Sequence, residues 1–312
     1  MKLSLSTNWC NRETDDGRRL AEQALALGFD EIELGYRTTD RQVPGFKAML
    51  DRLPVGSVHA FCPVPLSAPR GYPELYPLAS FDEEARRMAV LQVTRNIDFA
   101  ADMGADAVVL HAGRVPFGRL FDRIDTGALR AARVDNEQGV ESAPYRKMLA
   151  RATKRRVRRG RKMLDVFLRT LDEVVPALER RHVTLALENL PYFEGFPAEW
   201  ELPQIVAAFE GAPVRGWFDT GHDRVRRMYG WRSGENPADA GDYARRHFAG
   251  MHLNDVVDFD DDHLAPGDGK VDFAALKEVA RNVRHVVFEP SPDVSEEALR
   301  RGLAHIRSLW ND

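Results

Sequence analysis

Short, continuously apolar runs recur along the 312-residue chain, and between them lie longer stretches whose apolar residues fall three or four apart. Lys2–Thr7, Glu31–Leu34, Val55–His59, Ala107–Leu110, Val183–Leu187, Arg215–Phe218, the run Phe248–Met251 that ends on His252, and His285–Phe288 read as eight strands. Most lack the polar alternation of a half-exposed sheet, as strands covered on both faces do. The helical spacing predicts helices over Asp15–Leu27, Val43–Leu53, Asp82–Met103, Pro144–Arg181, Pro203–Phe209, a segment near Asp239–Arg246, Phe273–Asn282 and Ser295–Trp310. Gly28 and Gly104 stop the first and third of these. Strict βα alternation implies a parallel sheet, and eight such units imply a closed (βα)₈ TIM barrel. The expectation is a single TIM-barrel domain over residues 1–312, with a long loop and helical extension at about 113–165. Within that extension Gly113–Ala143 shows no clear period and reads as a functional lid or binding loop.

Composition narrows the classes. With 44% hydrophobic and 29% charged residues the chain has ample material for a soluble core. A net charge of −4 argues against a dedicated nucleic-acid binder, which usually carries a basic excess. The charge is uneven, however: Lys154–Lys162 reads KRRVRRGRK, after Arg146, Lys147 and Arg151, and could recognise phosphates or a sugar acid, against the blander alternative of an oligomer contact. Its plainer reading is a solvated helix face. Cys10 and Cys62 alone make no disulfide framework, and no signal-like or membrane-length apolar segment is present, so a cytoplasmic protein is expected.

Chemistry enters at the strand ends, because in such barrels active sites form at the C-terminal mouth. Strands three to eight end on or beside His59, His111, Glu188, Asp219, His252 and Glu289. Asp and Glu together are 48 and His 9 of the residues, so six acidic or imidazole groups at six successive ends is a pattern rather than background. Second members follow closely: His222 lies three after Asp219, and Asp261 and His263 follow His252 in the acidic stretch Gly250–Gly269. Carboxylates crowded at one mouth repel unless a cation joins them. Mixed carboxylate and imidazole donors suit a divalent metal: Mn²⁺, Co²⁺, Fe²⁺, Zn²⁺ or the harder Mg²⁺.

The motifs SVHAFCP, VVLHAG, LALEN, FDTGH, MHLND, DDHLAPGDGKVDF and VVFEP, in this order, resemble the xylose-isomerase-like barrels. That superfamily includes sugar-phosphate isomerases and epimerases and the apurinic endonuclease IV type. Resemblance to the epimerase type implies one metal on Glu188, Asp219, His252 and Glu289, with Glu188 and Glu289 moving a proton through an enediolate. It further implies substrate contacts at His222 and Glu194, while the position six beyond His252, basic in that group, is Asp258 here. Resemblance to the endonuclease type implies three zinc ions on His59, His111, Glu188, Asp219, His222, His252, Asp261, His263 and Glu289. The expected function is a metal-dependent isomerase or epimerase of a small sugar, sugar acid or sugar phosphate. The alternatives are a three-zinc phosphodiester hydrolase at abasic DNA and a metal-dependent lyase or dehydratase of a cyclitol or keto-acid. His59, His111 and Trp9 are further candidate substrate contacts; Trp9, Phe61, Trp200 and Trp231 fall in loops that could stack on a sugar ring, though for each ordinary packing is the plainer reading. His182, His247, His285 and His305 fall before strands or on helices and read as structural, and Trp217 as core.

Overall fold

The computed structural model describes residues 1–10, 14–117, 126–134, 142–232 and 240–310. Eight strands form the barrel: β1 (Ser4–Ser6), β2 (Glu31–Leu34), β3 (Val55–His59), β4 (Ala107–Leu110), β5 (Thr184–Glu188), β6 (Val214–Asp219), β7 (Phe248–Leu253) and β8 (His285–Phe288). Each pairs in parallel with its sequence neighbours, and β8 closes on β1. The expected (βα)₈ barrel is therefore the observed fold.

Eleven helices are described: α1 (Gly17–Leu27), α2 (Val43–Lys47), α3 (Glu83–Asp102), α4 (Thr126–Val134), α5 (Ala143–Asp172), α6 (Val175–Arg181), α7 (Leu202–Ala208), α8 (Thr220–Met228), α9 (Ala240–His247), α10 (Lys277–Arg281) and α11 (Glu296–Trp310). Local chemistry sets their ends. Asp16 and Asp82 accept the backbone N–H groups of Arg18 and Ala85, and Gly28 takes a left-handed φ of 97° at the end of α1.

Several boundaries differ from the periodicity. The long helix expected over Pro144–Arg181 is two, α5 and α6, parted at Glu173–Val174. Pro176, second in α6, cannot donate and its ring would crowd the carbonyl four residues back. The helix from Val43 stops at Lys47; Pro44 sits in its first turn, where a missing N–H is tolerated, and Gly45 is a weak helix former. Part of the expected lid is helix α4, whose Ala128, Leu129, Ala131 and Ala132 favour it; residues 118–125 and 135–141 lie outside those described. Helix α8 was not expected. Asp219 closes β6 and at once caps α8, its carboxylate accepting from His222 N at 2.7 Å.

The main core lies between barrel and helices. A second layer inside the barrel contains Ala107, Val109, Ala186, Trp217 and Val287. Trp217 fills the interior because Gly250 on the adjacent strand has no side chain: a Cβ there would lie 2.4 Å from the indole. The indole therefore floors the mouth, 5.1 Å edge-on to His252 above and stacked on His285 below. A third cluster, with Leu129, Tyr145, Phe193, Val225 and Trp231, joins α4, α5 and α8.

The basic run is not uniform. Arg156 is fully buried, holding Glu201 with two bonds of 2.8 Å and the Gly195 carbonyl at 2.7 Å. Gly160 makes room, since a Cβ there would meet both partners at under 2.5 Å. Lys154, Arg155, Arg158, Arg161 and Lys162 remain exposed along α5. No described helix is long and apolar enough to cross a membrane.

Candidate metal centre

Barrel register brings the strand ends to one level. Asp219 on β6 pairs with His252 on β7, and His252 with Val287 on β8, one strand residue before Phe288 and Glu289. Three carboxylates converge on one imidazole nitrogen: His252 Nδ1 lies 3.1 Å from Glu188 Oε1, 3.2 Å from Glu289 Oε2 and 3.7 Å from Asp219 Oδ2. All four residues are buried. Metal–donor bonds of about 2.0–2.2 Å place neighbouring donors about 3.0–3.6 Å apart, so this spacing suits a shared divalent ion.

The charge pattern agrees. Carboxylates only accept, so His252 faces acceptors on both ring nitrogens, Glu188 at Nδ1 and Glu33 at Nε2. Burial opposes that charge, yet Glu289, Glu33 and Glu188 hold the ring's pKa well above the imidazole range. His111 behaves likewise: burial lowers it, and Glu188 then Glu74 push it up to about 9. For His222, Asp219 and Asp261 overcome burial and push it up to about 10. Burial raises Asp219 to about 6 against the pull of His222. Carboxylates thus surround each of these imidazoles, a setting that suits a divalent cation.

Around these four the remaining predicted donors assemble. Glu188 Oε2 accepts from His59 Nε2 and His111 Nε2, each at 3.1 Å. Asp261 Oδ2 lies 3.2 Å from His222 Nε2 and 3.3 Å from His263 Nε2. Donor atoms therefore fall into three groups, each within 4.8 Å: His59–His111–Glu188, His222–Asp261–His263 and Glu188–Asp219–His252–Glu289.

The acidic stretch that looked like one cluster divides by role. Asp255 is fully buried and accepts the N–H groups of Val256, Gly267, Gly269 and Val271, so it folds the loop. Asp262 caps Val257 N, while Asp258 and Asp260 are exposed. Asp261 and His263 turn inward, and His263 does so with a left-handed φ of 49°, its Nδ1 donating to the Glu289 carbonyl.

The mouth opens into a cavity of about 620 Å³, lined by His59, His111, His222, Asp261, His263 and Glu289, together with Tyr36, Tyr72, Tyr192, Arg37 and Arg70. That is a small-molecule volume. Two expected substrate contacts do not line it. Trp9 is core, with its indole N–H on the Val294 carbonyl. Glu194 stands behind the wall, 3.6 Å from Arg114, which also pairs with Glu74 and stacks on Tyr192. Phe61 and Trp231 are buried in packing, and Trp200 is exposed beside Arg156. His285 packs in the barrel bottom against Asp106, and His247 bonds the Tyr243 carbonyl.

Sequence reasoning passed over Glu33. It is fully buried on β2, with both oxygens 3.2 Å from His252 Nε2 and Oε2 accepting from Ser57. Its signal was weak, because the acid lies within a strand rather than at its end. Asn8, which donates to Glu289 Oε1 at 3.2 Å, and the three tyrosines were also missed.

A family model described as xylose isomerase-like TIM barrel matches residues 21–309. Among solved structures, the chain resembles an apo 3-keto-D-glucoside 4-epimerase from E. coli, with 18% identity, TM-score 0.67 and 99% of each chain covered. It also resembles a D-psicose 3-epimerase with D-tagatose from Clostridium cellulolyticum, with 16% identity, TM-score 0.65 and 100% of each chain covered. A Thermus thermophilus protein soaked with ZnCl2 shares 20% identity at TM-score 0.59, over 99% of this chain and 98% of that one. No curated protein sequence matches the chain.

Proposed function

Since the chain belongs to the xylose isomerase-like TIM barrel family, we propose that it is a divalent-metal-dependent isomerase or epimerase of a small carbohydrate. The observation that carries this reading is the buried quartet Glu188, Asp219, His252 and Glu289, drawn from β5–β7 and the residue after β8, of which Glu289 lines a cavity of sugar size. Similarity in fold to structures named as sugar epimerases supports it.

In that place a divalent ion supplies Lewis acidity to a carbonyl and its neighbouring hydroxyl, acidifying the C–H between them. The chain's own groups do the rest. Glu289 lines the cavity and is the carboxylate placed to take or return a proton at Oε2, while Asn8 holds Oε1. Glu188 is the second acid/base group, fully buried behind His59 and His111, which themselves line the cavity. Asp219 is fixed as a donor by Asn254 Nδ2 at 2.7 Å and the His222 N–H. His222 and His111 present imidazoles to the cavity, where they orient substrate oxygens. The test is exchange of solvent deuterium into a panel of ketoses by manganese-loaded protein. Loss of exchange in Glu289→Gln with metal retained is expected; exchange undiminished in that variant would overturn the assignment.

One observation favours a second reading. The nine donors fall into three groups, two of them joined through Glu188, as a three-ion phosphodiester hydrolase would need. About three zinc ions per purified chain, with incision of an abasic duplex, would put that activity first.

A further inference from the structure

Among the described residues, two arginines stand at the mouth with no acid paired to them. Apart from histidines, Arg37 and Arg70 are the only basic residues lining the cavity among those described. Arg37 lies three residues beyond β2, its N–H on Asn8 Oδ1 at 3.3 Å, and Arg70 lies on the loop after β3. The two loops are packed on each other: a Cβ on Gly71 would sit 1.9 Å from the Tyr36 carbonyl oxygen and 3.0 Å from Arg37 Cα. The absent side chain at residue 71 therefore seats both arginines on one rim.

Arg37 Nη1 is buried and has no hydrogen-bond partner among the described residues. Elsewhere, sheltered guanidinium groups hold carboxylates: Arg114 holds Glu74, Arg156 holds Glu201 and Arg226 holds Glu199. The acids nearest the mouth are engaged. Asp261 serves His222 and His263, Glu289 serves Asn8 and His252, and Glu74 serves Arg114. A buried donor left unpaired is costly, so such a group marks a place where an acceptor arrives with the ligand. A planar guanidinium fork matches the paired oxygens of a carboxylate or phosphate.

We propose that the substrate of this site carries an anionic group, a carboxylate or a phosphate ester, received by Arg37 and Arg70 while its carbonyl end faces the quartet. This rests on reading the mouth as a carbohydrate site, and selects charged over neutral sugars.

The test titrates D-fructose, D-fructose 6-phosphate and D-fructuronate, a ketose that carries a carboxylate, into manganese-loaded protein by calorimetry. At least one anion is expected to bind about ten- to a hundredfold more tightly than D-fructose. Arg37→Met should shrink that preference by about tenfold or more, and Arg70→Met, at an exposed position, by a smaller factor. Which anion is preferred separates a phosphate ester from a sugar acid. D-fructose bound as tightly as both anions would overturn the proposal. So would a preference that survives in both variants, since the anion would then sit on the metal rather than on the arginines. Should Arg37→Met not fold, Arg37→Lys and Arg70→Met carry the same comparison. Deuterium exchange on the same three compounds separates the two readings. Exchange into D-fructose with no anion preference leaves the isomerase reading and removes this one. Arginine-dependent anion binding with no exchange does the reverse.

Discussion

Glu33 offers the most direct test of the candidate metal centre, because it does not line the cavity at the mouth and stands behind a donor rather than among the donors. Its carboxylate backs His252 Nε2 with two contacts of 3.2 Å, is itself held by Ser57 at 2.8 Å, and is fully buried. When Nδ1 gives its lone pair to a cation, Nε2 keeps the remaining proton, and Glu33 is the acceptor that fixes this tautomer and the ring plane. Removing such an outer carboxylate typically weakens metal affinity about 10–100-fold, or about 1.4–2.8 kcal/mol. Glu33→Leu is expected to fall in that range. Glu33→Gln keeps a neutral acceptor and should lose about tenfold or less. The assay is calorimetric titration of metal-free protein with Mn²⁺ and Zn²⁺, with far-UV circular dichroism to confirm an intact fold. Wild-type affinity and stoichiometry in a folded Glu33→Leu chain would refute the argument that His252 binds through Nδ1 with Glu33 behind it.

Three further outcomes follow from described contacts. Glu201→Ala strands the buried Arg156 guanidinium and should cost about 3–5 kcal/mol in urea unfolding, whereas Arg156→Met with Glu201→Leu should recover most of it; a single-variant loss below about 1 kcal/mol would contradict this. Asp261→Ala should leave one ion per chain by elemental analysis, because the quartet does not use it; a fall from three ions would favour the hydrolase reading. At the barrel's other end, burial raises Asp106, but the His285 hydrogen bond and the charges of His285 and Arg284 together hold its pKa below the usual carboxylate value. A depressed folded pKa contributes stability above the unfolded value, about 3.9, that is lost as pH falls through the folded one. Asp106→Asn should therefore flatten the loss of stability in acid below about pH 4; an unchanged acid-unfolding profile would discount the pair.

The barrel was legible because eight apolar runs carry their own period, and four of the eight strands have the expected limits. The donors were legible because strand ends are countable. What the chain hid were side chains whose importance comes from contact rather than position. Glu33 looks like any acid inside a strand until His252 on β7 is placed over it. Asp255 looks like a ligand in an acidic run until four backbone N–H groups are found on it. Arg156 belongs to a basic run by sequence and to an ion pair by packing. Trp9 had two readings, a substrate contact or packing, and it is packed: this loop aromatic beside the first strand folds onto Val294 and into the core.

The donors and the arginine rim are held by unlike parts of the molecule. The quartet is tied to strand register, so drift at those positions is checked by the whole barrel. Arg37 and Arg70 hang on two loops whose junction is one missing side chain at Gly71. Substitution there would part the loops without shifting a strand, leaving the reactive chemistry while changing which molecules reach it. A lineage could thus exchange one substrate for another at residue 71 and its neighbours while inheriting the same cluster of donors intact.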